Sequence, residues 1–257
     1  MPTVLKELAR RTLRPRNPPF APSPQPPPLL VHCCHHKVGT LWLTRVLGAV
    51  AATHGLRFLA GDQGALTADV DIFLQDHSRV DPAGLGRFRG SHMIRDPRDV
   101  VVSAYFYHLR TDEAWCHRPS PEYGGLGYQA YLRSLPRTEG LMVEIERCAS
   151  TVIRDMVAWS PTVEGFHEMR YETLLEDENE GFRRLFTHYG FTAEATERCV
   201  GLAERFSLKR LRRRSVHIRA GHPGQWRAHF TPAHARAFKR LTDDAAFALG
   251  YESTSSW

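Results

Sequence analysis

The sequence predicts an α/β fold, a single domain with a mainly parallel central sheet flanked by helices. Three observations carry that expectation. Leu29-Leu30-Val31-His32-Cys33-Cys34 is a short continuous apolar run, the pattern of a strand buried on both faces. Strand-like runs then alternate with segments of helical period, which implies parallel strands joined by covering helices. Between the first strand and the first helix lies a glycine-containing turn with a lysine, a P-loop-like place for a phosphate.

The elements follow in order. After the turn over residues 35–40, Leu43, Val46, Leu47 and Val50 repeat at helical spacing, and Gly55 supplies a stop. Val70 to Leu74 reads as a second strand and Gly90 to Ile94 as a third. Asp96-Pro97 opens a helix, with aspartate as cap and proline at the first helical position. Met142, Ile145, Ala149, Val152 and Met156 mark one long amphipathic helix. Phe166 to Tyr171 reads as a fourth strand, followed by helices around Phe182 to Tyr189 and Ala193 to Ala203. Thr231-Pro232 starts a final helix running toward Leu249.

Residues 1–28 form a separate basic tail, and residues 29–257 the folded domain. The tail carries five basic side chains against one acidic, and residues 15–28 hold eight prolines, a composition that favours extended, solvated chain. The chain's net charge of +6 is therefore mostly a tail property, which argues against a duplex-binding face on the fold. No run approaches eighteen apolar residues and no apolar segment follows the basic start, so neither a membrane span nor a secretory signal is expected. The five cysteines lack framework or C-x-x-C spacing, as reduced thiols of a cytoplasmic protein would.

Three constellations carry chemistry. In His36-Lys37-Val38-Gly39-Thr40-Leu41-Trp42, free N–H groups at a helix start make an anion site. Gly39 allows close approach, Thr40 adds a hydroxyl and Lys37 a cation. Lysine precedes the glycine, so the ordinary nucleoside-triphosphate signature is absent. In Arg95-Asp96-Pro97-Arg98-Asp99-Val100-Val101-Val102-Ser103, Arg95 at a strand end and Ser103 two turns into the helix suit a second phosphate. Asp96 and Asp99 read as cap and ion-pair residues, and Arg98 as a structural partner. The third, Arg219-Ala220-Gly221-His222-Pro223-Gly224-Gln225-Trp226-Arg227, is a tight loop able to wrap an anion, and seven basic residues lie between Arg205 and Arg219.

Together these segments resemble the sulfotransferase family that uses 3′-phosphoadenosine 5′-phosphosulfate (PAPS). Its K-S-G-T-T-W-type loop matches Lys37 to Trp42, its R-x-x-x-D-V-x-V-S-type segment matches Arg95 to Ser103, and its R-K-G-x-x-G-D-W-K-x-x-F-T segment matches Arg219 to Thr231. The resemblance implies sulfuryl transfer from PAPS, as co-substrate and without a metal, to an acceptor hydroxyl or amine on a small molecule, lipid or carbohydrate. It implies that residues 37–42 (Lys37, Val38, Gly39, Thr40, Leu41, Trp42) hold the 5′-phosphosulfate. Arg95, Ser103, Arg219, Ala220 and Gly221 would hold the 3′-phosphate, and Trp42, Tyr171 and Phe206 would contact adenine.

Lys37 is then placed to stabilise the leaving phosphate. His77, at the end of the second strand, stands where the family commonly places its catalytic base, and Asp76 is the rival. Gln75 replaces a lysine that often precedes that histidine. The family's dimerisation pattern K-x-x-x-T-V-x-x-x-E becomes Arg227, Thr231, Pro232 and Arg236, which predicts a monomer or a different dimer. Tyr105, Phe106 and Tyr107 either line an apolar acceptor pocket or pack their helix, and the glycine-rich stretch from Tyr123 to Tyr128 reads as a mobile acceptor-side loop. Two alternatives stay open at this point: a kinase-like phosphoryl transferase with an unusual loop, and a basic nucleic-acid-binding protein without enzymatic activity.

Overall fold

A computed structural model describes residues 18–159, 165–212 and 222–257. They divide into two compact units, a sheet unit (18–94 and 165–212) and a helical unit (95–159 and 222–257). The basic start of the tail, residues 1–17, lies outside the described residues.

The sheet unit is α/β. Its strands are β1 (Leu29–Cys33), β2 (Phe58–Ala60), β3 (Ile72–Gln75), β4 (Phe88–Ile94) and β5 (Phe166–Arg170). They form one sheet in the order β2-β3-β1-β4-β5, all parallel. The strand order reverses at β1, the kind of switch point at whose carboxyl ends open α/β sheets bind ligands. Register sets Cys33 beside Gln75 on one side and beside His92 on the other. At the β4–β5 pair, Gly90 sits opposite Phe166, whose ring occupies the place a Cβ would take, so only glycine fits there.

Strand β2 is the difference from the expected four strands. Phe58, Leu59 and Ala60 are only three residues, all half-buried at the sheet edge, too short to display a period of two. Helix α1 (Thr40–His54) buries Trp42, Leu43, Val46, Leu47 and Val50 and stops at Gly55, whose φ of 66° is the left-handed terminator expected. The proline-rich run is also not a free linker throughout. Phe20 bridges Phe191, Pro19 O accepts from Thr192 N–H at 2.8 Å, and Pro26 O accepts from Arg87 Nη1 at 2.6 Å.

The helical unit contains α2 (Pro97–His108), α3 (Ala114–His117), α4 (Tyr128–Ser134), α5 (Arg137–Cys148) and α6 (Arg154–Ala158). The sheet unit resumes with α7 (Tyr171–Glu176), α8 (Glu178–His188), α9 (Ala193–Arg205) and α10 (Leu208–Arg212). The helical unit closes with α11 (Pro232–Thr242) and α12 (Ala245–Ala248). Two expected helices are interrupted. A π turn at Ala149–Ile153 separates α5 from α6. The hydroxyls of Ser150 and Thr151 both donate to Arg147 O there, competing with the helical ladder. Asp243 and Asp244, at φ 49° and 50°, separate α11 from α12.

Inside the sheet, His32 is wholly buried. Its Nδ1 lies 2.7 Å from Ser91 Oγ, which lies 2.8 Å from the Tyr189 hydroxyl, and that hydroxyl donates to Val31 O at 3.2 Å. Burial, with help from the neighbouring His92, pushes His32 down to about 3. Between that value and the ~6.5 of an unfolded chain, the folded state binds fewer protons. Stability is therefore present in full above ~6.5 and is lost as pH falls through this window. Between about pH 7.5 and about pH 5, His32 alone should cost about 2 kcal/mol in urea unfolding. His32→Gln should flatten that difference, and an equally steep pH dependence in the variant would assign it to other groups.

Candidate functional site

The Lys37 turn leaves the carboxyl end of β1. Lys37 takes φ 65° and Gly39 φ 94°, both left-handed, and Val38 between them is buried and donates its N–H to His35 O at 3.0 Å. Val38 pins the turn while Lys37 and Gly39 stay half-buried. Gly39 is the N-cap of α1, and no side chain among the described residues caps that helix. Its first backbone donors thus start at the turn, as an anion site requires. A Cβ on Gly39 would stand 2.8 Å from Met93 Cε and 3.4 Å from the Tyr171 ring.

Thr40, expected to offer its hydroxyl to a phosphate, is already engaged. Its Oγ1 lies 3.2 Å from Cys34 Sγ and donates to His35 O at 3.4 Å. Burial pushes Cys34 up to about 12, so the partner is a neutral thiol. Leu41 is half-buried on the first turn of α1. Trp42 and Tyr171 are only 1% and 4% exposed, with ring centroids 6.3 Å apart and edge to face, and Phe182 stands 5.5 Å from Trp42. The Tyr171 ring walls the turn at Gly39, and neither ring has a face open for stacking as it stands. Phe206, at the end of α9, is half-buried.

At the end of β3, Gln75 is buried, and its Oε1 accepts the N–H groups of His77 at 2.7 Å and Arg79 at 3.0 Å. Ser78, at φ 55°, donates its hydroxyl to Cys34 O at 2.9 Å. The residue standing in place of the family's lysine therefore shapes the loop that presents His77. The imidazole of His77 is about half exposed, with Nε2 4.0 Å from Asp76 Oδ1.

One group went unnoticed in the sequence. His35 and His92, both buried, share a hydrogen bond of 2.8 Å between their Nε2 atoms, and His92 Nδ1 lies 3.8 Å from Glu168 Oε2. Burial holds His92 below the usual imidazole range against the pull of Glu168, and the neighbouring His92 holds Glu168 below the usual carboxylate range. The three come from the β1 end, β4 and β5, so parallel pairing alone brings them together. No local spacing signals it.

In the helical unit, Arg95 is buried and its Nη2 lies 3.8 Å from Asp99 Oδ2. Asp96 caps α2 by accepting Arg98 N–H at 3.0 Å. Arg98 is buried, ion-paired with Asp96 at 2.8 Å and Glu252 at 2.5 Å, and its guanidinium stacks 3.9 Å from Trp226 and 4.4 Å from Trp257. Both match their expected structural roles. Ser103 is half-buried on α2. Arg219, Ala220 and Gly221 lie outside the described residues.

Of the acceptor-side candidates, Tyr105 is buried with Cys116, Tyr128, Leu132 and Leu141, which favours helix packing. Phe106 is partly buried against that cluster, and Tyr107 donates its hydroxyl to Glu113 Oε1 at 2.7 Å. Tyr123 stacks on Tyr131 with ring centroids 5.3 Å apart.

Gly39→Ala should lower stability by about 1–3 kcal/mol, because φ 94° strains any residue with a Cβ. Met93 Cε, a flexible end, can give way, so the cost should persist in a Gly39→Ala/Met93→Leu double variant. Urea unfolding measures both, and full recovery in the double variant would show that crowding rather than backbone strain is at work.

A family model described as the sulfotransferase domain matches residues 92–250. No curated protein sequence matches the chain. Among solved structures, mouse sulfotransferase SULT7A1 complexed with PAP is 15% identical, with 87% of this chain and 89% of that chain covered at a TM-score of 0.59. Retinol dehydratase in complex with androsterone and inactive cofactor PAP is 14% identical, with 84% and 80% covered at 0.58. Retinol dehydratase in a complex with retinol and PAP is 15% identical, with 87% and 82% covered at 0.57. At such identities the structural likeness speaks for the fold alone. The family match spans more than half of the sequence, and by it the chain belongs to the sulfotransferase domain family.

Proposed function

We propose that this protein transfers a sulfuryl group from PAPS to an acceptor hydroxyl or amine. The observation that carries the reading is the turn after β1, where Lys37 and Gly39 lead into a helix start that no described side chain caps. Such a turn suits a phosphate ester, and the family match supplies the chemistry. Lys37, Val38, Gly39, Thr40, Leu41 and Trp42 take the 5′-phosphosulfate end. Arg95 and Ser103 take the 3′-phosphate together with Arg219, Ala220 and Gly221, and Phe206 takes the adenine, with Tyr171 as the wall behind Gly39.

In the transfer, the acceptor oxygen forms its bond to sulfur as the bond from sulfur to the 5′-phosphate oxygen breaks. The acceptor proton passes to His77, and Lys37 stabilises the charge left on the phosphate. Gln75 contributes by holding the backbone of the His77 loop. Small molecules are the proposed acceptors, in line with the retinol and androsterone present in complexes of retinol dehydratase. The five cysteines are free and buried, which suits the reducing cytoplasm as the compartment. Thr231 and Pro232 serve as cap and first residue of α11, so the proposed oligomeric state is a monomer or a dimer of another kind.

The test is thermal stabilisation by 3′-phosphoadenosine 5′-phosphate against ADP and ATP. At a hundred times its Kd, the 3′-phosphorylated nucleotide should add about 2.7 kcal/mol. Equal stabilisation by all three would sink the sulfotransferase reading. His77→Ala should keep that binding and lose turnover by a factor of about 10² or more. If Asp76→Asn loses turnover and His77→Ala does not, Asp76 is the base.

A further inference from the structure

Asp99 has a task beyond an ion pair. It sits in the first turn of α2, and its carboxylate is closed off from solvent. Oδ2 accepts the N–H of Gly224 at 2.8 Å and Oδ1 accepts the N–H of Trp226 at 3.0 Å. Arg95 Nη2 stands 3.8 Å from Oδ2. Burial raises the Asp99 pKa, and Arg95 and the two backbone donors act against that rise. Two converging N–H groups form a nest that ordinarily receives an external anion. Here the anion is the protein's own carboxylate, and the turn spans 125 residues of sequence to reach it.

The adjacent side chain reinforces the joint. Arg98 stacks on the ring of Trp226, so two successive residues of α2 grip the same turn, one by hydrogen bonds and one by its guanidinium face. Gly224 takes φ 76°, which aims its N–H as the joint requires. Asp99 thus fixes Arg95 on one side and the Gly224–Trp226 turn on the other.

We propose that Asp99 is a positioning residue for the 3′-phosphate of the nucleotide. The inference rests on the sulfotransferase reading, in which Arg95 takes that phosphate. A carboxylate cannot itself serve as the ligand, since it would repel the phosphate, and both its oxygens already accept hydrogen bonds. It acts by holding the cation beside the Gly224–Trp226 turn. Asparagine cannot replace it, because its amide NH2 would face one of the two N–H donors and its neutral head would release Arg95.

The experiment compares 3′-phosphoadenosine 5′-phosphate with adenosine 5′-phosphate by isothermal titration of the full chain. Wild type should prefer the 3′-phosphorylated nucleotide. Asp99→Asn should weaken that nucleotide about tenfold or more while leaving adenosine 5′-phosphate within about twofold. No preference in wild type would overturn the sulfotransferase reading itself. A wild-type preference that Asp99→Asn retains, or an equal loss for both nucleotides, would overturn the positioning role. If Asp99→Asn does not fold, Gly224→Ala strains the same turn and keeps the carboxylate; a Cβ there lies 3.1 Å from Arg227 Nη1. It should show a smaller loss confined to the 3′-phosphorylated nucleotide, and an unchanged ratio would count against the proposal.

Discussion

Much of the sheet unit depends on the double pairing of β1. The strand is hydrogen-bonded to β3 on one edge and to β4 on the other, and four of its five residues are buried. A strand so enclosed has nowhere to present polar backbone except at its ends. The chain leaves it through two left-handed residues, Lys37 and Gly39, and enters a helix whose first donors lack a side-chain cap. The same pairing sets His92 beside Cys33.

Both units bury polar groups that lie against one another. In the sheet unit, Tyr189, Ser91 and His32 form one chain of hydrogen bonds, and His35 is bonded to His92, whose Nδ1 lies 3.8 Å from Glu168. In the helical unit, Glu144 is fully buried, 2.9 Å from His108 Nδ1 and accepting the Tyr128 hydroxyl at 2.8 Å. Burial would raise Glu144, yet His108 and the hydrogen bonds hold it below the usual carboxylate range. Removing one member of such a set leaves a buried polar group without its partner, so these groups constrain geometry more than they add net stability. Asp99 and Arg98 follow the same logic at the head of α2.

The legible parts of the sequence were those governed by local rules. The apolar run of β1, the period of α1 with Gly55 as its stop, and the Asp96-Pro97 helix start all depend on residues within a turn or two. Edge strand β2 was too short for a period to show, and the π turn after α5 depends on two hydroxyls competing for one carbonyl. Thr40 and Trp42 carried the right motif letters, but their surroundings engage the hydroxyl with Cys34 and enclose the ring with Tyr171 and Phe182. A motif names the residue types, whereas exposure depends on what packs against them.

Sequence alone determined the α/β class, the turn at Lys37, the helix start at Asp96 and the resemblance to sulfotransferases, because each rests on short-range patterning or on motif order. Tertiary structure decided which side chains meet across the sheet and across the helical unit. The His35–His92–Glu168 set and Asp99 holding the Gly224–Trp226 turn join residues brought together by strand register or helix packing. Most of those separations are tens of residues or more, and no spacing rule spans them. Asp99 shows the difference most plainly: in the sequence it is an acidic residue in the first turn of a helix, and only the fold makes it the anchor of a loop.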